Sequence, residues 1–413
     1  MPVLEGDRIG VSGRGPAASV PKASRRGYRP EIEGLRAVAV LLVAVYHIWF
    51  GTVSGGVDVF LLLTGFLITG SLVRAMERGN GLGFRAFWAR LAKRLFPAAA
   101  VVLGGVLLAS FLWFPRSRWA EVIADVQASA LYYQNWRLAF GAVDYLAENN
   151  AASPVQHFWS LAIQGQFYLL WPVLIALTGL LAARLGRTPR GMAIGAVAAV
   201  FAVSFAYSLM VTRSDPAWAY FDGAARLWEL ALGGLLALTI SHIRLPEGLR
   251  VVLGWVGLIA LVLCGALAPD SWSFPGFVAL WPTGAAVLII LAGTTGFRFS
   301  ADRLLTWRPL TYIGGMSYAL FLWHWPVLIF YLEVTDRVHP SLIGGFYVLG
   351  LSFVLAFLTK KLVEGGAERW TVKRPSRRVS LAVGAAFLVP VLLAAGAWGY
   401  QIEQEREVRE QMA

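Results

Sequence analysis

Apolar runs of about twenty residues recur along this chain of 413 residues and restrict its possible folds more than any other feature. A helix of about 20 residues crosses the roughly 30 Å hydrocarbon core of a bilayer. In lipid every backbone N–H and C=O group needs an internal partner, which a helix supplies. Eleven runs qualify, so we predict an all-α, polytopic membrane protein with about eleven transmembrane helices. The predicted spans are Glu31–Gly51, Val57–Val73, Phe96–Phe114, Trp159–Ala183, Met192–Val211, Ala224–Ser241, Val251–Ala268, Phe277–Phe297, Ile313–Leu332, Leu342–Leu362 and Leu381–Tyr400.

The composition agrees with a membrane protein, since 57% of the residues are hydrophobic, 15% are charged, and the mean hydropathy is +0.62. The net charge of +12 does not call for a nucleic-acid partner, because Lys and Arg collect in the cytoplasmic loops of membrane proteins. The single cysteine, Cys264, excludes an intrachain disulfide and a thiolate metal cluster. The five histidines are scattered and form no HExxH motif, so we expect no metal site.

The loop charges predict an orientation and a division of the chain into segments. Basic loops alternate with mixed or acidic ones, which places the N-terminus in the cytoplasm and the C-terminus outside. Residues 1–30 are rich in Gly, Pro, Ser and Arg, and we predict a disordered, basic cytoplasmic arm. We assign residues 31–365 to the functional transmembrane domain. Residues 366–413 then comprise a cytoplasmic basic loop, the last span and a short acidic extracytoplasmic tail.

The first span carries an arginine and a histidine that point the same way. Arg36 and His47 are eleven residues apart, which is almost three helical turns and about 16 Å along the axis. An arginine at one interface therefore places the histidine near the middle of the bilayer. A histidine at that depth is costly and should face the protein interior with a partner. A packed, hydrogen-bonded structural histidine explains this position alone as well as a catalytic one does.

Two further spans carry polar residues on one helical face, which lipid would not tolerate. Each face alone is explained by hydrogen bonds between neighbouring helices. Three such faces in one bundle are better explained by a polar cavity, on which we expect His47, His324 and Gln164 to converge. The polar faces consist of Ser160, Gln164 and Tyr168 at i+4 spacing in one span, and of Ser317 and His324, seven residues apart, in the other.

The motif ARLWELALGG places an ion pair inside a predicted span. Arg226 and Glu229 lie at i,i+3, the spacing at which two side chains on a helix meet. We expect the two charges to satisfy each other.

Two loops are longer than a connection requires. Residues 75–95 combine basic residues with aromatic ones and predict an amphipathic interfacial helix on the cytoplasmic side. Its arginines would be attracted to anionic lipid, or they would bind phosphate groups, whose oxygens match the guanidinium fork. Residues 115–158 are predicted to lie outside, where their aromatic side chains would cover a cavity or contact a polymeric substrate.

Six motifs in sequence order give the chain a family resemblance. They are GLRAVAVLLVAVYH, GGVDVFLLLTGFLIT, ARLAKRLFPA, HFWSLAIQGQFYLLWP, ARLWELALGG and MSYALFLWHWPVLIF, all within residues 28–335. In these motifs the chain resembles the membrane-bound acyltransferase-3 family, bacterial integral membrane O-acyltransferases that modify surface glycans and small molecules. Some members carry a further extracytoplasmic domain after the eleventh helix, so the resemblance fits either a stand-alone form or part of a longer protein.

The resemblance implies a reaction, its partners and its location. An acyl group, often acetyl, moves from cytoplasmic acyl-CoA to a hydroxyl of an envelope glycan, glycolipid or small molecule, in the bacterial cytoplasmic membrane. The family's arginine and histidine on the first helix match Arg36 and His47. Its basic pair before the third span matches Arg90 and Arg94, with Lys93 beside them. The usual SLSVEEQFY reads SLAIQGQFY here, with Gln164 and Gly165 in place of two glutamates.

Acyl transfer to an alcohol needs a base for the hydroxyl proton and donors for the oxyanion. We predict that His47 is the base, or the acyl acceptor, since the sequence has no GxSxG motif. Arg90, Lys93 and Arg94 would bind the phosphates of the acyl-CoA donor, which we expect to be acetyl-CoA. Arg36 would position CoA or polarise its path. The residues expected to bind the oxyanion or position the acceptor are Ser160, Gln164, Tyr168 and His324.

A transporter or flippase of an envelope intermediate is the alternative. Transporters also carry polar residues at mid-membrane depth, but many are built from two matched halves with paired Gly or Pro interruptions. The sequence shows no such internal repeat. The predicted function is therefore acyl-CoA-dependent O-acyl transfer, with membrane lipids and the acceptor as further partners and without nucleic acid.

Overall fold

The structure, a computed structural model, describes residues 29–52, 54–78, 83–145, 152–267, 273–373 and 376–412. These residues are mostly helical and contain no β-strand. The predicted arm of residues 1–30 lies almost wholly outside the described residues. The helices are α1 (Pro30–Val45), α2 (Gly56–Glu77), α3 (Phe84–Trp113), α4 (Trp119–Ala130), α5 (Gln134–Tyr145), α6 (Phe158–Arg184), α7 (Pro189–Ser214), α8 (Pro216–Phe221), α9 (Gly223–Thr239), α10 (Glu247–Leu267), α11 (Leu280–Ala292), α12 (Ala301–Leu305), α13 (Arg308–Thr335), α14 (Leu342–Leu358), α15 (Gly365–Lys373) and α16 (Arg377–Met412).

The predicted all-α, polytopic membrane fold is confirmed. Among the described residues, 10 helices are long and apolar enough to cross a membrane. Helix α11 falls where the eighth span was predicted but has only 13 residues, about 20 Å. It ends at Gly293, whose φ of 55° no longer continues the helix.

Two helices are longer than predicted. Helix α3 is a single helix of 30 residues, about 45 Å, so the helix predicted within residues 75–95 is continuous with the third span instead of belonging to a loop before it. Pro97 lies inside α3 without ending it, and the basic turns before it form the first part of the same helix. Helix α16 has 36 residues and continues through the predicted tail. The tail stays helical with support from ion pairs at i,i+4, such as Arg406 with Glu410.

Glycines bring two pairs of helices into backbone contact. A Cβ atom at Gly314 of α13 would overlap the carbonyl oxygen of Glu33 in α1. Gly65 of α2 and Gly233 of α9 likewise face the backbone of the opposite helix. Small residues permit such close approach in membrane bundles, where van der Waals packing drives helix association. The contact between α1 and α13 sets the two histidine-bearing helices side by side.

Helices α4 and α5 form a hairpin that enters the bundle, so the prediction that residues 115–158 lie outside is wrong for its tip. Trp119, where α4 begins, packs on Phe111 near the end of α3, with ring centroids 5.5 Å apart. Helix α4 is 12 residues long, about 18 Å, and just beyond its end the Tyr132 ring packs on Phe96, 5.9 Å away. The apolar face of α4 is buried, which explains why the hairpin packs among the spans.

Candidate active site

A cavity of about 160 Å³, lined mainly by apolar side chains with several polar and charged ones among them, lies between α1, α2, α3, α6 and α13. It collects five of the predicted site residues from three helices. Gln164 lines this cavity whereas His47 lines a second one, so the single polar cavity expected for His47, His324 and Gln164 is divided in two. Tyr132, at the tip of the hairpin, also lines the first cavity. We call it the arginine cavity. The predicted site residues that line it are Arg36, Arg94, Ser160, Gln164 and Tyr168.

The basic residues of this region differ in position. Arg36 Nη1 donates to Glu33 Oε2 at 3.0 Å, and its side chain is 14% exposed. Arg94 lines the cavity while keeping more than a third of its surface exposed, as suits a side chain at an entrance. Arg90, one turn earlier on α3, is exposed and does not line the cavity, and neither does Lys93.

The amide of Gln164 is oriented by two hydroxyl groups. Thr64 Oγ1 donates to Gln164 Oε1 at 3.0 Å, and the Tyr168 hydroxyl donates to the same oxygen at 3.4 Å. These bonds leave the two amide hydrogens of Gln164 to donate to a ligand in the cavity. Ser160 instead donates its hydroxyl hydrogen to the carbonyl oxygen of His157, at 3.3 Å.

A second, smaller cavity of about 60 Å³ contains His47. His47 lies in a π-helical turn, Tyr46–Phe50, that continues α1, and such turns are frequent at functional sites. Its Nδ1 is 3.1 Å from Nε2 of His324 on α13, and the two rings are stacked. The partner that an intramembrane histidine was expected to need is therefore His324. We call this space the histidine cavity.

The backbone fixes the tautomers of both histidines. His324 Nδ1 lies 2.7 Å from the carbonyl oxygen of Phe321, which can only accept, so Nδ1 carries the hydrogen. In the neutral ring Nε2 of His324 is then an acceptor, and His47 Nδ1 must donate to it. The lone pair of His47 is consequently on Nε2, the nitrogen left for the cavity.

His157 lines this cavity together with His47, whereas His324 does not line it; the sequence prediction missed His157. Its Nε2 donates to the carbonyl oxygen of Leu322 at 3.1 Å. That oxygen needs a donor because Pro326, four residues later, has no N–H to give it. The signal was present in the sequence, since His157 precedes Ser160 by one turn and extends the predicted polar face of α6.

The other ring nitrogen of His157 is unsatisfied. Nδ1 is buried and has no hydrogen-bond partner among the described residues, and the residue lines the histidine cavity. Burial away from water lowers the pKa of the His157 imidazole well below its usual value, so the ring is neutral. A neutral ring that donates through Nε2 accepts through Nδ1, so this buried atom is a hydrogen-bond acceptor without a donor among the described residues.

Three side chains with hydroxyl or amide hydrogens complete the histidine cavity: Ser54, Gln156 and Tyr220. Burial raises the pKa of Tyr220 to about 12, so its hydroxyl keeps its hydrogen at neutral pH. Ser54 Oγ accepts from the Gly56 amide at 3.2 Å, and its own hydrogen is therefore available. The cavity thus combines unprotonated histidine nitrogens with neutral donors.

A buried charge cluster lies behind the histidine cavity and corrects the expectation that Arg226 and Glu229 satisfy each other. Arg226 Nη1 donates to Asp58 Oδ1 at 2.8 Å and to Glu229 Oε1 at 3.1 Å, with all three side chains at most 1% exposed. Its guanidinium also lies 5.1 Å from the Trp159 ring and 4.9 Å from the Tyr220 ring. One cation thus holds two carboxylates, and the cluster positions two rings that line the cavity.

Comparisons with known proteins agree with the motifs. The family model described as an acyltransferase domain, that of the acyltransferase-3 family, matches residues 29–361. Peptidoglycan O-acetyltransferase OatA of Listeria monocytogenes is 31% identical over 354 residues, which cover 82% of this chain and 56% of that protein. O-acetyltransferase OatA of Staphylococcus aureus is 31% identical over 321 residues, covering 73% and 51%.

The chain spans between half and two thirds of the length of the curated relatives it matches. No solved structure matches it.

Proposed function

The chain belongs to the acyltransferase-3 family, and on that premise we propose that it transfers an acetyl group from cytoplasmic acetyl-CoA to a hydroxyl of an envelope glycan. The names of two relatives, which are O-acetyltransferases, support acetyl as the group transferred. One of these names specifies peptidoglycan, which we propose as the acceptor. The proposed location is the bacterial cytoplasmic membrane, with residues 31–365 as the domain that carries the reaction.

One observation carries the proposal. The unprotonated Nε2 of His47 is left for a small cavity of neutral donors, and that cavity adjoins a larger one lined by Arg36 and Arg94. A base next to an arginine-lined channel is what transfer from an anionic donor to a hydroxyl requires. A transporter that moves a whole substrate would not need a histidine such as His47, whose tautomer is fixed through a backbone hydrogen bond.

In the proposed reaction the donor enters at the end of the bundle where α3 begins. Arg94, exposed at the mouth of the arginine cavity, binds a CoA phosphate, and Arg90 and Lys93 on adjacent turns bind the remaining phosphates. The pantetheine arm extends through the arginine cavity past Gln164 and Tyr168. Since these two residues and Ser160 line the arginine cavity, we assign them to the donor arm and not to the oxyanion.

The acceptor enters at the opposite end of the bundle. As its hydroxyl oxygen attacks the thioester carbonyl, His47 Nε2 takes the hydroxyl proton, and the C–O bond forms. The C–S bond then breaks, and His47 returns the proton to the sulfur of CoA. Tyr220, Gln156 and Ser54 stabilise the intermediate oxyanion. An acyl-imidazole route would use the same Nε2 as nucleophile.

His324 and His157 orient the reacting groups. When His47 gains a proton, its Nδ1–H bond to His324 becomes charge-assisted and therefore stronger. His157 Nδ1 accepts from a hydroxyl of the acceptor and holds it near the base.

The test uses purified protein in vesicles with radiolabelled acetyl-CoA and soluble peptidoglycan fragments. We expect an alkali-labile ester on the glycan, and Arg94→Ala should raise the KM for acetyl-CoA by about tenfold or more, since a charge-assisted contact is worth about 1.5–3 kcal/mol. Arg85→Ala is the matched control, because Arg85 is exposed on the first turn of α3 and lines no part of the arginine cavity. Movement of an unmodified glycan across the vesicle membrane without ester formation would support the transporter instead.

A further inference from the structure

Two side chains form the wall between the arginine cavity and the histidine cavity. Val57, at the start of α2, and Phe321, in the middle of α13, line both cavities. Phe321 is 6% exposed, and its ring lies between Phe60, at 6.2 Å, and His157, at 5.4 Å. A donor arm that fills the arginine cavity must therefore pass this pair before its carbonyl carbon reaches His47.

The space beyond the wall is small. A buried water needs about 10–15 Å³ of such volume, so the histidine cavity, at about 60 Å³, admits about four to six water-sized groups. An acetyl group and the attacking hydroxyl oxygen together have four heavy atoms, at the lower end of this range, whereas a butyryl group and the oxygen have six and reach its upper limit. A butyryl group adds two methylenes, for which the well-packed aromatic walls of Trp159, Tyr220 and Trp325 leave little space.

We propose that Phe321, with Val57 opposite it, limits the transferred acyl group to acetyl. The ring holds the sulfur of the thioester on the side of the arginine cavity and allows only the acyl group into the histidine cavity. The proposal rests on the proposed transfer reaction and leaves its bonds unchanged: the ester C–O bond forms, the thioester C–S bond breaks, and the proton passes through His47 to sulfur.

The side chain of Phe321 can be changed without losing the bond that orients His324. That bond is accepted by the backbone carbonyl of Phe321, which Phe321→Ala retains. Removal of the ring joins the two cavities, so a longer acyl chain can extend back into the space that the ring occupied. Val57→Ala enlarges the opening from the other side by less, because fewer atoms are removed.

The experiment measures kcat/KM for acetyl-, propionyl- and butyryl-CoA with one acceptor. In the wild-type protein we expect at least a tenfold fall from acetyl to butyryl, since a methylene is worth about 10–200-fold in a fitted pocket. In Phe321→Ala we expect the kcat/KM values for acetyl-CoA and butyryl-CoA to differ by no more than about threefold. Phe321→Leu and Val57→Ala should give differences between this value and that of the wild type. Phe330→Ala is the matched control, because Phe330 lies on the same helix and lines an apolar groove that shares no lining residue with the histidine cavity.

The outcomes separate this inference from the function on which it rests. An unchanged acetyl-to-butyryl ratio in an active, folded Phe321→Ala would overturn Phe321 as the length-limiting residue and leave the transferase intact. If Phe330→Ala lowered the acetyl-to-butyryl ratio as much as Phe321→Ala does, the assignment of Phe321 would also be overturned. If Phe321→Ala is inactive with every donor, the ratio of Phe321→Leu decides in the same way. Absence of transfer from any acyl-CoA by the wild-type protein would instead contradict the proposed function.

Discussion

The carbonyl oxygen of Phe321 decides which nitrogen of His47 is left for chemistry. It accepts from His324 Nδ1, which makes His324 Nε2 an acceptor and His47 Nδ1 a donor. Pro326 has a parallel effect, since the carbonyl oxygen that it leaves without an N–H is taken by His157. At the scale of single residues, two backbone carbonyls of α13 therefore set the hydrogen-bonding state of all three histidines.

The first prediction concerns His324 as a positioning residue. His324→Phe removes the acceptor for His47 Nδ1–H, so the hydrogen redistributes between the two nitrogens of His47. We expect kcat to fall by about tenfold or more, but less than on removal of His47, with the KM for acetyl-CoA unchanged. The ¹⁵N shifts of labelled histidine report the tautomer directly. An unaltered His47 tautomer in a variant with reduced kcat would assign the loss to packing.

The second prediction concerns Gly165, which stands where the family usually has a glutamate. A Cβ atom there would overlap Cδ1 of Tyr132 at the tip of the hairpin. We expect Gly165→Ala to destabilise the protein by about 1–3 kcal/mol, as overpacking does, and Tyr132→Ala to relieve this strain in the double variant. Gly141→Ala is the control, because an added Cβ there meets nothing within 4 Å. Thermal melting in detergent checks the series, and additive effects of the two substitutions would contradict the contact.

The elements that the sequence did not predict are those held by contacts between distant parts of the chain. The hairpin of α4 and α5 has an amphipathic sequence with a buried apolar face on α4, and its ion pair between Asp125 and Arg137, at 2.5 Å, joins the two helices. Nothing local in that pattern distinguishes a surface loop from one that enters the bundle. The pairing of Asp58 with Arg226 was not predicted either, because the two residues lie 168 positions apart in the sequence.

The third prediction tests that cluster. Arg226→Leu leaves Asp58 and Glu229 buried without their cation, so we expect a loss of about 3–5 kcal/mol of stability. Asp58→Asn and Glu229→Gln, added to the same variant, should recover part of it. Arg190→Ala breaks the partly exposed pair with Glu77 and should cost at most about 1 kcal/mol. Equal effects of Arg226→Leu and Arg190→Ala on thermal melting would show that the buried cluster is not a structural requirement.

For the whole molecule, the apolar periodicity and the family motifs predicted the helical bundle, and the polar faces predicted one cavity on which His47, His324 and Gln164 converge. They did not predict that the interior is divided into two cavities, because the wall consists of Val57 and Phe321, which lie far apart in the sequence. The division matches the proposed reaction, in which the donor and the acceptor approach from opposite ends of the bundle and only the acyl group passes between them.

The fourth prediction concerns the orientation that this scheme needs. The basic loops predict a cytoplasmic position for a reporter fused after Arg378 and an extracytoplasmic one for a reporter fused after Tyr400. Arg378 lies in the first turn of α16, so the two fusion sites flank most of its apolar length. If both reporters were found on the same side of the membrane, α16 would not be a transmembrane helix.

His47 is proposed as the residue that takes the hydroxyl proton, and its loss should therefore stop ester formation. Protein is reconstituted in vesicles with radiolabelled acetyl-CoA inside and soluble peptidoglycan fragments outside, and the initial rate of ester formation is compared for wild type and His47→Ala. We predict a loss of about 10²–10⁴-fold, with the binding of acetyl-CoA retained, because His47 acts at the reacting centre and not on the donor phosphates. A His47→Ala variant that transfers acetyl near the wild-type rate, or that fails only because it no longer binds acetyl-CoA, would contradict the claim.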